Sequence, residues 1–296
     1  MSKPFLSLGV IEKPRKDFEI FIGTLKQHID VLKGYALGGV HRWSPQAFSF
    51  EFHQDKLNRT LLSHGWANVY MLPLFKVGVY LQGETVHINL RQPSYYMDLL
   101  GDSLDGKARY EVEGLFADFK EKVIRFFESM EGEAGEFRLL HIHEGYDVGD
   151  ARMTFLKRLK KHRDIYETTV GENPLETVKE LADKVVKGFD ELEGWKIIDR
   201  RVYLHIPGVD ALEFIEFCTP KYAGISMEMN RQYNLLLPCL GSVRCERGVA
   251  AINIYLPRFM FKPLFYSVDA DVRKFYRGFP SVVEGIIRDT CLKHVV

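Results

Sequence analysis

The sequence predicts an α+β protein built from two tandem β-α-β4-α repeats, each a curved antiparallel sheet with helices on one face. Three observations carry that expectation. Apolar residues alternate with others along Phe48, Phe50 and Phe52 and along Phe75, Val77, Val79 and Leu81, as strands with one buried face require. KPRKDFEIFIGTLKQHIDVLKGY (13–35) lies on NPLETVKELADKVVKGFDELEGW (173–195) at a constant offset of 160. The block after it matches at an offset of 165, so the second copy carries extra residues between the two blocks.

Taken in order, each copy opens on a strand, 6–11 and 165–170. A helix follows with a proline in its first turn (Pro14, Pro174) and a glycine past its end (Gly34, Gly194), where helices tolerate each. Asp30 falls on Asp190 and Tyr35 on Trp195. A strand pair comes next, with FEF (50–52) on IEF (215–217). A short polar or helical stretch leads to two more strands. Here MLPL (71–74) falls on LLPC (236–239), and Gly83 falls on Gly248 at a tight hairpin. One residue is then lost before HINL (87–90) meets AINI (251–254). A helix closes each copy, near 113–130 and 270–293. The domains are therefore a first repeat, 1–132, a linker, 133–163, with a short strand and a basic helix, and a second repeat, 164–296. One conflict stands: at offset 165 the apolar series 75–81 meets Leu240, Ser242, Arg244 and Glu246. Either the alignment slips by one or a bulge after the in-strand proline shifts one copy.

Composition bounds the rest. At 296 residues with 46% apolar and 13% aromatic side chains, the chain can bury about two ordinary cores. Forty basic residues balance forty acidic ones, so there is no global pull toward nucleic acid or an anionic membrane. No uncharged apolar run approaches the ~18 residues that span a bilayer. The N-terminus carries no apolar stretch followed by a small-residue cleavage site. The expected location is cytoplasmic, with reduced thiols. Phosphate-binding loops, G-x-S-x-G and H-E-x-x-H are absent, which lowers the case for a nucleotide enzyme or hydrolase.

Two segments resemble a known family. MLPLFKVGVYLQGETVHINLRQP (71–93) is similar to the central hairpin of the domain-of-unknown-function 302 (DUF302) family. EFCTPKYAGISMEMNRQYNLLLPCLGSVRCERGVAAINIYLP (216–257) resembles the variant with a cysteine in each of two segments. The resemblance covers both repeats. It implies a β-α-β4-α fold of the TATA-binding-protein-like or helix-grip type and brings no established reaction. Because single-copy members pair, it also implies that the two repeats pair intramolecularly as a pseudo-dimer.

The repeat itself nominates a site. Cys218 occupies the position of His53, and Glu216 that of Glu51. Strand alternation puts Glu51 with His53 on one face and Glu216 with Cys218 on the corresponding one. Cys239 is the nearest expected partner of Cys218, where the first copy has Leu74. As core residues, Cys218, Cys239 and Cys245 would simply be small hydrophobes. As ligands, His53, Cys218 and Cys239 suit zinc or haem iron, although their spacing matches no standard set. As a reactive thiol, Cys218 is disfavoured, because Glu216 would raise its pKa. Asn89 and Asn253 recur inside strands, where asparagine is disfavoured, and point to a bulge hydrogen bond or a ligand contact. His141 and His143 share a strand face as a metal pair lacking a third ligand. The methionines of SMEMN (226–230) read as gap fillers, and KRLKKHR (157–163) as a solvated helix face. Three functions follow: a small-molecule or apolar-ligand binding module with a groove between sheet and helix; a metal- or thiol-dependent redox protein centred on Cys218 and Cys239; and an interaction platform.

Overall fold

The computed structural model describes residues 3–29, 32–64, 75–99, 104–144, 162–206, 210–229, 235–237, 239–256 and 270–296. The chain divides into two compact units, Met1–Tyr146 with Gly224–Leu236, and Asp147–Ala223 with Leu237–Val296. Both are α+β, each with one antiparallel sheet.

In the first unit the chain runs β1 (Phe5–Glu12), α1 (Phe18–His28), β2 (Ala36–Ser44), β3 (Ala47–His53), α2 (Asp55–Ser63), β4 (Phe75–Gln82), β5 (Thr85–Arg91), α3 (Pro93–Leu99), α4 (Gly106–Ser129), α5 (Glu131–Ala134) and β6 (Phe137–Glu144). Its six strands are ordered β2-β3-β4-β5-β1-β6. The long helix α4 starts where the Asp105 carboxylate accepts from the Ala108 N–H at 2.8 Å, a cap that contributes about 1 kcal/mol. Val112, Phe116, Phe119, Val123 and Phe127 then fall on one buried stripe at three- and four-residue spacing. Phe119 meets Phe75 at 5.0 Å between centroids, Tyr35 at 5.0 Å and Phe52 at 5.3 Å. Gly34, at φ 88°, makes the turn that swings Tyr35 into this cluster.

The second unit runs β7 (His162–Thr169), α6 (Pro174–Asp190), β8 (Lys196–Ile206), β9 (Asp210–Cys218), α7 (Pro220–Met229), β10 (Cys239–Glu246), β11 (Val249–Tyr255), α8 (Ala270–Tyr276) and α9 (Phe279–Leu292), with strand order β7-β11-β10-β9-β8. From Gly224 onward, α7 groups with the first unit. Gly194 repeats the turn of Gly34 at φ 78°, and Trp195 packs 5.7 Å from Phe189, which stacks on Phe217 at 4.4 Å.

Strand register resolves the alignment conflict in favour of the slip. Phe52 pairs with Phe75 and Phe217 with Cys239, so β4 and β10 correspond at an offset of 164. Phe75, Val77, Val79 and Leu81 then fall on Cys239, Gly241, Val243 and Cys245, all buried or nearly so. The residue is lost before β4, not after the hairpin. Two expectations change as a result. The counterpart of Cys239 is Phe75, not Leu74, which with the rest of 71–74 lies outside the described residues. Gly83 corresponds to Arg247, not Gly248, because the two-residue turns are set between Gln82↔Thr85 and Glu246↔Val249. Both first turn residues have positive φ, 61° and 51°. The inter-repeat segment supplies β6, which extends the first sheet alongside β1. Of the basic run, 157–161 lie outside the described residues, while His162 and Arg163 open β7 instead of continuing a helix.

Candidate functional site

Alternation along β3 sends Phe48, Phe50 and Phe52 toward the helices and Ser49, Glu51 and His53 to the other face. The register aligns His41, Ser49, Gly78, Asn89 and Ser7 in one row across five strands. A second row carries Gly39, Glu51 and Lys76. This face, opposite the one that meets α1 and α4, is polar and yet buried: Ser7, His41, Ser49, Glu51, Lys76, Asn89 and Arg91 all belong to the buried set.

Glu51 and Lys76, at 2% and 1% exposure, form an ion pair, and His41 Nε2 lies 3.5 Å from the other carboxylate oxygen. Burial alone would push the Glu51 carboxyl up. The Lys76 charge, with His41 as a second polar and charged neighbour, outweighs burial and holds it well below the usual carboxylate range. Gly39 makes the His41 contact sterically feasible, since a Cβ there would lie 2.8 Å from His41 Nε2. Beside it, Trp43 Nε1 donates to Ser49 Oγ at 2.9 Å. Arg91 Nε donates to the Leu235 carbonyl at 3.0 Å, and its guanidinium sits 4.9 Å over the Tyr96 ring. Burial pushes the Tyr96 phenol up to about 12.

The two recurring asparagines differ. Each sits opposite a bulged first strand, with Leu8 the extra residue in β1 and Ile165 in β7. In the second sheet, Asn253 Nδ2 donates to Asp164 Oδ1 at 2.5 Å, and Arg244 donates to Asp164 Oδ2 at 3.0 Å. The corresponding residues in the first sheet are Ser7 and Tyr80, and Tyr80 stacks on His87 at 4.8 Å. Asn89 is fully buried, and neither end of its amide has a hydrogen-bond partner among the described residues.

In the second unit, Glu216 and Cys218 share the face opposite Ile215 and Phe217, and Glu216 lies across from Leu240 where Glu51 has Lys76. Burial, followed by the Glu216 charge, pushes the Cys218 thiol up to about 12. Cys239 lies opposite Phe217, next to Cys218, and is pushed up by burial and then by Cys218. All four cysteines are free and buried. His53, half-buried at the end of β3, pairs across the strands with Ala36, as Cys218 does with Lys196. The rings of His141 and His143 lie 5.6 Å apart on the exposed edge strand β6. Desolvation, Lys120 and His143 lower the His141 pKa, and among the described residues no third ligand joins this pair.

Sequence reasoning named Glu51 and Asn89 and did not name Lys76 and His41, which the register sets in the same two rows. The available signal was a lysine set between Phe75 and Val77 in an otherwise apolar strand. The groove expected between sheet and helix is filled by the rings around Phe119, so the nominated polar residues of the first repeat face away from it.

No family profile matches the chain, and no curated protein matches it. Among solved structures, it is similar to an uncharacterised conserved DUF302 protein from Bacillus stearothermophilus, at 16% identity and a TM-score of 0.35. That match covers 46% of this chain and 98% of the other.

Proposed function

We propose that this chain is a non-catalytic binding module that takes a small molecule on the polar, buried face of its first sheet. The observation that supports this is the buried polar row Ser7–Asn89–Gly78–Ser49–His41, flanked by the Glu51–Lys76 pair. Polar groups taken from water carry a cost that a structural sheet face would avoid, and pre-set dipoles and charges are what orient a ligand. Binding is favoured over turnover because the candidate reactive groups are poorly poised near neutral pH. Glu51 is too weak a base, and the thiols of Cys218 and Cys239 stay protonated.

The test is native mass spectrometry of protein purified anaerobically without chelator, compared with its denatured mass. Gly78→Ser introduces the side chain that Ser242 places at the same point of the second sheet. An organic adduct is expected on the wild type, lost in Gly78→Ser and kept in Cys218→Ala and Cys239→Ala. A bare wild-type mass, or an adduct indifferent to Gly78→Ser, would refute the reading. Cys239 pairs with Phe217, so strand alternation sends its side chain to the face opposite that of Cys218; a metal- or thiol-dependent redox protein centred on the two would instead show a metal mass that disappears in those two cysteine variants.

A further inference from the structure

We infer that Asn89 reads a neutral planar group that both donates and accepts a hydrogen bond, as a carboxamide or lactam does. The inference rests on the binding reading above and specifies its ligand class.

The charges around Asn89 already have partners within the first unit. Glu51 is paired with Lys76 and approached by His41, and Arg91 is held by the Leu235 carbonyl and the Tyr96 ring. Among the described residues, the Asn89 amide, an acceptor oxygen and an NH2 donor at 0% exposure, keeps hydrogen-bonding capacity at both ends. The second sheet shows how this fold satisfies the same asparagine when it serves structure: Asp164 accepts from it, and Arg244 secures Asp164. The first sheet has Ser7 and Tyr80 in those places and keeps the asparagine. It also carries Gly78 where the second has Ser242, leaving no side chain between Asn89 and Ser49 in the row.

A neutral amide laid edge-on to Asn89 would satisfy both of its ends in one reciprocal pair. A carboxylate would offer two acceptors and no donor, and would bring a new charge into a buried face whose own charges are already committed. Because Asn89 is fully buried, the ligand enters by local opening, and exchange is slow.

The experiment uses the 15N-labelled full chain and three probes of one shape: acetamide, acetate and acetone. The Asn89 side-chain signals are assigned by their loss in Asn89→Leu, and binding is followed by their shifts and by thermal stabilisation. Acetamide is expected to shift these signals and to bind wild type about tenfold or more tightly than Asn89→Leu; acetate and acetone are expected to leave them in place. Acetate binding at these signals would overturn the ligand class while leaving the binding face standing. Silence from all three probes, or a long-lived water at the Asn89 NH2 that persists in saturating acetamide, would overturn the inference. The adduct test with Gly78→Ser decides the broader reading separately.

Discussion

Lys76→Met removes the positive partner of a carboxylate that is 2% exposed. The stranded Glu51 has two outcomes, to stay charged in a dry site or to take up a proton, and the cheaper one bounds the cost. Protonating a glutamate of ordinary pKa 4.5 at pH 7 costs about 3.4 kcal/mol. This falls within the ~3–5 kcal/mol seen when one member of a buried pair is deleted. The pH dependence then changes sign. In the wild type, the folded-state pKa of Glu51 is lowered, so the pair contributes stability above the unfolded value that is lost as pH falls through the folded one. In Lys76→Met the largest opposing charge is gone and only His41 still works against burial, so that pKa rises and the deficit grows as pH rises. Urea unfolding followed by circular dichroism should show a loss of about 3 kcal/mol at pH 7, shrinking to about 1 kcal/mol near pH 5. Glu51→Gln combined with Lys76→Met should recover most of the loss at pH 7. A deficit that is independent of pH, or a double variant no more stable than Lys76→Met alone, would refute the reasoning.

Three further outcomes can be checked directly. Gly188→Ala in α6 should destabilise the second unit by about 1–3 kcal/mol, because the new methyl would run into the backbone carbonyl of Thr290 in α9; thermal melting measures this. Asp164→Ala removes the acceptor shared by Asn253 and Arg244 and should cost about 1–3 kcal/mol in urea unfolding; a neutral result would mean Asn253 does not depend on that bond. The four thiols should resist a disulfide reagent at pH 8 in the native protein and all react once it is unfolded, since each is buried and each has its pKa raised.

Local chemistry was the legible part of this sequence. The glycines after α1 and α6, the proline opening α6 and the alternating phenylalanines of β3 are signals confined to a few residues, and each marks the predicted structure. The partnership of Glu51 with Lys76 was not legible. It depends on which residue of β4 lies opposite which residue of β3, and a helix and further chain separate the two strands, so no turn fixes the register in the sequence. Loss of one residue between these strands also changed the offset, and a single slip exchanges the two faces of a strand. That is why Leu74 was matched to Cys239. The divergence of Asn89 from Asn253 was hidden for a related reason. The residues that secure Asn253 lie on two neighbouring strands, and Asp164 and Arg244 become recognisable as its support only once the sheet is assembled.

The added strand β6 has a mechanical consequence. It runs antiparallel to β1 with Phe5 opposite Glu144, so the start of the first strand and the end of β6 meet at the same end of one strand pair. Tension between the N-terminus and the segment beyond Glu144 would load that pair rung by rung, as a zipper, and not in shear along its length. The Phe5–Glu144 rung would open first, and β6 would peel away at low force before the central strands bore any load. A pull on the inter-unit segment would thus be spent at the sheet's edge, leaving the row from Ser7 to His41 in register.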